Sequence, residues 1–223
     1  EPADLRLEGV ALRPAEIDVS LASHEPGWVW VHLALADARC RSWIVQHAPV
    51  SDSARELLAG SDQHVRLDVL GHEIVGVVPD LQQELGEHTD ALVRLRFVLT
   101  ERMLITARQR PVHSVETTRR ALEGGKRFPN AVSFLDGIID QFADAVARMA
   151  ERLGDELDRA EDRVLDEEPA DERVRLGRVR IQAVRVHRQL GQLRSLFHRV
   201  ESRIAAENAA VGRAVRRLAQ QLD

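Results

Sequence analysis

One cysteine in 223 residues leaves no partner for a disulfide and no thiolate set for a multi-cysteine zinc site. That usage suits a reducing compartment. Long apolar runs are also missing: none approaches the roughly 20 residues needed to cross a bilayer, so the chain as given reads as soluble. There is no HExxH or CxxC pair, no glycine-rich loop after a strand and no serine elbow, and Gly124-Gly125 is an isolated pair. Without a nucleophile, a phosphate cradle or a closed metal site, enzyme function has no support in the sequence. The chain opens at Glu1 without a methionine or a basic-then-apolar leader and stops at Asp223 inside a helix-like pattern, which reads as a piece of a longer protein.

What is present begins with 44% hydrophobic and 30% charged residues, enough for a sizeable core and incompatible with disorder as the main state. The net charge of -5 is unevenly spread. Residues 129–170 hold 12 Asp and Glu against 4 Arg, and residues 171–223 hold 5 acids against 12 Arg. An acidic segment followed by a basic one suggests two elements that pair along their length. Nucleic acid is not expected as a partner, because the apolar stripe of the basic segment is buried by such pairing and the acidic neighbour competes with phosphate.

Residues 1–128 mix short strand-like runs with caps and turns and predict an α/β lobe with a mixed sheet. Trp28 to Leu33 follows Pro26-Gly27 and reads as a buried strand. Asp37 caps a helix to about His47, and a second short helix starts near Ser51. Val65, Leu67 and Val69 alternate with polar residues, Gly71 turns the chain and Ile74 to Val78 forms a further strand, after which Gly86 to Asp90 reads as a polar loop. Val93 to Leu99 and Met103 to Ala107 form a hairpin about Thr100-Glu101-Arg102, with one face buried and the other partly basic through Arg94 and Arg96. Pro111 ends it, and Val112 to Leu122 is a short helix stopped by Gly124-Gly125.

From Asn130 the period becomes helical. Val132, Leu135, Ile139, Phe142, Val146, Met149 and Leu153 step by three and four, predicting a helix to Glu168 of roughly 58 Å. Pro169 breaks it, and Val179, Val186, Leu193 and Val200 place a second helix from about Asp171, antiparallel to the first. A break between Ser202 and Asn208 precedes a last segment with Val211, Val215, Leu218 and Leu222, the start of a third helix. Residues 129–223 are thus a long helical hairpin followed by a truncated stalk.

Among candidate ligands, Asp136, Asp140 and Asp144 form an i, i+4 ladder that Asp155 and Asp158 extend, an oxygen-rich face suited to weak binding of hydrated Zn²⁺ or Mg²⁺. The plainer reading is a solvated face paired with the basic helix. His187 and His198 stand about 16 Å apart along a helix and cannot share an ion within one chain. Trp28, Trp30 and His32 share a strand face and read as sheet core, and Cys40 as a small, partly buried residue without an activating base. No tightly bound cofactor is expected.

The run Trp30-Val31-His32-Leu33-Ala34-Leu35-Ala36-Asp37, the segment from Leu95 to Pro111 that contains Leu99-Thr100-Glu101-Arg102-Met103, and the long charged helices after them resemble, in this order, the cytoplasmic domain of the CorA family of divalent-cation transporters. The pattern is most similar to its zinc-transporting ZntB branch. The family's Gly-Met-Asn motif and both of its transmembrane helices are absent from this sequence. The resemblance implies a homopentameric funnel on the cytoplasmic face of the inner membrane, attached to it through C-terminal helices. A soluble coiled-coil adaptor that binds a partner helix is the alternative from a different class.

Overall fold

The structure is a computed structural model that describes residues 6–8, 27–84 and 87–165, together with helical positions 176, 177, 179–181, 183–188, 191 and 195. The elements in chain order are β1 (Arg6–Glu8), β2 (Val29–Ala34), α1 (Ala38–His47), α2 (Asp52–Ala59), β3 (Arg66–Leu70), β4 (Glu73–Glu84), β5 (Glu87–Leu99), β6 (Met103–Arg108), α3 (His113–Glu123) and α4 (Ala131–Leu165). Local chemistry sets most of these limits. The Asp37 side chain accepts from Arg39 N at 2.9 Å to start α1, and Ser51 Oγ accepts from Ala54 N at 3.3 Å to start α2. Asn130 Oδ1 accepts from Ser133 N at 2.8 Å while Ser133 Oγ accepts from Asn130 N at 3.2 Å, a reciprocal cap that opens α4.

The strands make one mixed sheet in the order β1-β2-β6-β5-β4-β3. β1, β2 and β6 run parallel, and β6, β5, β4 and β3 form an antiparallel meander. Because side chains alternate across a strand, each strand feeds two cores. On one face Trp30, Ile74, Leu95, Phe97 and Leu104 pack with Val115 of α3 and Phe134, Ile138 and Phe142 of α4. On the other, Val31, Val75, Val77, Val98 and Ile105 pack with Trp43 and Ile44 of α1 and Leu57 and Leu58 of α2. Gly76 lies opposite Phe97, and a Cβ there would sit 2.4 Å from the Phe97 ring, so the bare position admits the aromatic.

Two expectations are corrected. The segment from Gly86 to Asp90 is not a polar loop over 87–90: these residues are strand, with Gln82↔Thr89, Gln83↔His88 and Glu84↔Glu87 in register. The register shifts after Leu81, which pairs with Leu92. The ladder is held by backbone groups, so polar side chains do not end it. The basic face of the β5–β6 hairpin is not a solvent face. Val98 lies under α1 and α2, and Arg96 is 1% exposed, because the loop after α2 closes over it and accepts Arg96 Nη2 at Asp62 O (2.7 Å) and Arg94 Nε at Gln63 O (2.8 Å).

The expected seam of α4 is buried at Leu135, Ile139, Phe142, Val146 and Met149, with Val132 and Leu153 packed beside it. Phe134, Ile138 and Ala145 widen that stripe, because the first half of the helix covers the sheet and α3 as well. Beyond Leu165 the described helical positions include buried Val179 and Val186, and Val186 joins the core cluster of α4. Pro169, Leu193, Val200, the expected break after Ser202 and the segment from Val211 lie outside the described residues.

Candidate functional site

The acidic ladder stands on α4 as its spacing requires. Asp136 and Asp140 are half-buried and Asp144, Asp155 and Asp158 are exposed, strung along a helix that rises about 6 Å per i, i+4 step. Asp155 is paired with Arg159 Nη2 at 3.6 Å, both side chains being well solvated. Among the described residues no three or more His, Cys, Asp or Glu side chains come together in a group able to hold a metal ion. Along the described part of α4 these carboxylates are strung out rather than gathered round one point. Cys40 on α1 is partly exposed, and burial pushes its thiol pKa up, which disfavours the thiolate a zinc ligand must be.

The polar chemistry that is concentrated lies within the sheet. The parallel pairing of β2 with β6 sets His32 opposite Thr106 and Ala34 opposite Arg108. Thr106 Oγ1 accepts from Trp30 Nε1 (2.9 Å), donates to Val31 O (3.3 Å) and contacts His32 Nδ1 at 2.8 Å, while Arg108 Nε donates to His32 Nε2 at 2.9 Å. Since Nε2 accepts, the His32 proton is on Nδ1. Burial first and the Arg108 charge second lower the His32 pKa to about 3, so the ring is neutral. Trp28, Trp30 and His32 are the sheet-core residues their strand face predicted, at 5%, 2% and 8% exposure, and the Trp28 and Trp30 rings meet Phe134 at a tilt, with centroids 5.3 and 4.5 Å away.

Asp80 on β4 was not singled out by the sequence. It is 1% exposed, and its Oδ1 accepts from Leu81 N (2.7 Å), Ser114 N (3.3 Å) and Ser114 Oγ (2.7 Å), which caps α3 where Val112 offers no side-chain acceptor. Among the described residues its Oδ2 has no partner. Burial raises its pKa to about 7 against the opposing pull of those hydrogen bonds. Nothing near Asp80 in sequence marks this role, since the cap and the helix it serves are 34 residues apart.

The family described as CorA-like Mg2+ transporter protein matches residues 25–223. The chain belongs to the CorA-like Mg2+ transporter family. Among curated relatives it is 25% identical over 191 residues to the zinc transport protein ZntB of Cronobacter sakazakii, covering 86% of this chain and 58% of that protein. This CorA-like chain thus spans little more than half the length of that relative. Among solved structures, full-length CmaX superposes with a TM-score of 0.72 at 20% identity, covering 92% of this chain and 66% of that one. The ZntB cytoplasmic domain from Vibrio parahaemolyticus superposes at 0.66 and 12% identity, covering 86% and 80%. These likenesses establish the CorA-like fold, a mixed α/β lobe with long helices. The described residues contain no helix long and apolar enough to cross a membrane.

Proposed function

We propose that the chain is the cytoplasmic funnel and regulatory domain of a CorA/ZntB-like transporter of divalent metal ions, Zn²⁺ or Mg²⁺. The observation that carries this reading is the family match across residues 25–223, supported by a fold shared with a ZntB cytoplasmic domain. The transported ion is cargo, and the domain's own chemistry is weak, carboxylate-led binding at Asp136, Asp140, Asp144, Asp155 and Asp158. Assembly as a homopentamer, with membrane attachment through helices that follow this segment, would place the domain at the inner face of the inner membrane. Ion occupancy would then bias the position of the long helices and through them the gate.

Calorimetric titration of the chain with Zn²⁺ and Mg²⁺ at near-physiological salt tests the binding part. Weak multivalent heats that fall in the combined Asp136→Asn, Asp140→Asn, Asp144→Asn variant are expected. Tight one-to-one zinc binding by a monomer, or silence toward all divalent ions when assembled, would overturn it. In the parent gene, two apolar stretches of about 20 residues each downstream of this segment support transport, and a stop codon there supports the adaptor reading.

A further inference from the structure

A cavity of about 170 Å³ lies between the end of the β2–β6 pair and α3, lined by His32, Gln83, Arg108, Val115, Glu116 and Arg120 among others. Its cations are unequally satisfied. Arg119 gives Nε and Nη2 to Glu116 (3.0 and 2.8 Å) and Nη1 to Glu123, and Arg120 gives only Nε, also to Glu116, at 2.9 Å. Glu116 is thus shared by Arg119 and Arg120 on α3. Among the described residues the Arg108 guanidinium makes a single hydrogen bond, from Nε to a neutral ring nitrogen, and Glu116 acts on it through its charge alone. Trp30, Thr106 and His32, all buried, hold the ring nitrogen that receives this hydrogen bond in place. Among the described residues the terminal nitrogens of Arg108 and Arg120 have no acceptor at the wall of the same cavity.

A cavity wall that carries three guanidiniums, Arg108, Arg119 and Arg120, against the one carboxylate of Glu116 favours uptake of an anion, and the guanidinium fork favours oxyanions that accept two parallel hydrogen bonds. Pro111, Val112 and Val115 supply an apolar wall beside the charged one. We propose that this pocket binds a phosphate-class oxyanion, gripped by the terminal nitrogens of Arg108 and Arg120, with the apolar wall taking the substituent of a small phosphate ester. The site is separate from the acidic face of α4 and does not depend on the transport reading. It would let the level of a phosphorylated solute act on α3, which packs directly on α4 through the Thr118 hydroxyl and the Gly137 carbonyl at 3.2 Å.

The test is calorimetric titration of the chain with inorganic phosphate and with glycerol 3-phosphate at constant ionic strength, with chloride and acetate as controls. One site per chain is expected for both phosphates, and tighter binding of the ester assigns the apolar wall to its substituent. Arg108→Met should weaken phosphate at least tenfold, Arg120→Met severalfold, and Arg39→Gln on α1 not at all. Arg120→Met decides the matter if circular dichroism shows that Arg108→Met does not fold, because Arg120 is a solvated helix residue. Absence of phosphate binding, equal binding of chloride, or phosphate affinity unchanged in the folded Arg variants would overturn the proposal.

Discussion

Asp80 and His32 titrate in opposite senses, and their effects on stability are separable by pH. The folded chain holds the Asp80 proton up to about pH 7, whereas the unfolded chain releases it near 3.8, so the folded state binds the extra proton between those values. Stability from this group is complete below 3.8 and is lost as pH rises toward 7. His32 is neutral in the fold down to about pH 3 and protonates near 6.5 when unfolded, so its share is present above 6.5 and is lost as pH falls. Asp80→Asn keeps an Oδ1 acceptor for Ser114 and removes the first effect. Urea unfolding at pH 4 and pH 8 should show the variant gaining on the parent by on the order of 4 kcal/mol across that window. A constant difference would show that Asp80 is ionised in the fold throughout. Neither residue's environment was legible locally: His32 meets Thr106 only through β2–β6 pairing, and Asp80 meets Ser114 only because the register of β4 brings it under α3.

At the scale of elements, the parts written in local chemistry were read correctly from the sequence. The Asp37 and Ser51 caps, the alternation of Val93 to Leu99 and the three-and-four stepping from Val132 to Leu153 each refer to residues within one turn or one strand. Strand order, the extension of β5 through 87–90 and the burial of Arg96 depend on backbone pairing and on a loop that arrives from α2, and composition carries no trace of them. The spacing of the acids along α4 is legible in the sequence, but periodicity along one helix cannot say whether a second element completes a site. The same helix predicts which forces hold it. Phe142 is 4% exposed within the shared core, so Phe142→Ala should cost roughly 3–5 kcal/mol. Exposed pairs such as Arg159 with Asp155 contribute about 0–1 kcal/mol each and are screened by salt. Thermal unfolding in 0.05 and 1 M NaCl separates the two; a near-neutral Phe142→Ala with collapse at high salt would reverse the ranking.

For the whole molecule, the sheet is a fixed platform sandwiched between α1–α2 and α3–α4, and the long helix leaves it after the first half of its length. The buried core of α4 ends near Met149, and Glu151, Asp155 and Asp158 beyond it are exposed. A rigid lobe that projects a charged helix suits a part that senses ions and transmits a displacement. The adaptor alternative uses the same helices without an ion. Flux separates the two most directly: the full-length gene product, reconstituted into sealed vesicles, is given an inward gradient of Zn²⁺ or Mg²⁺ while an interior dye reports entry. The transporter account predicts saturable entry of at least one of these ions above protein-free vesicles, and correctly inserted protein that passes neither would contradict it.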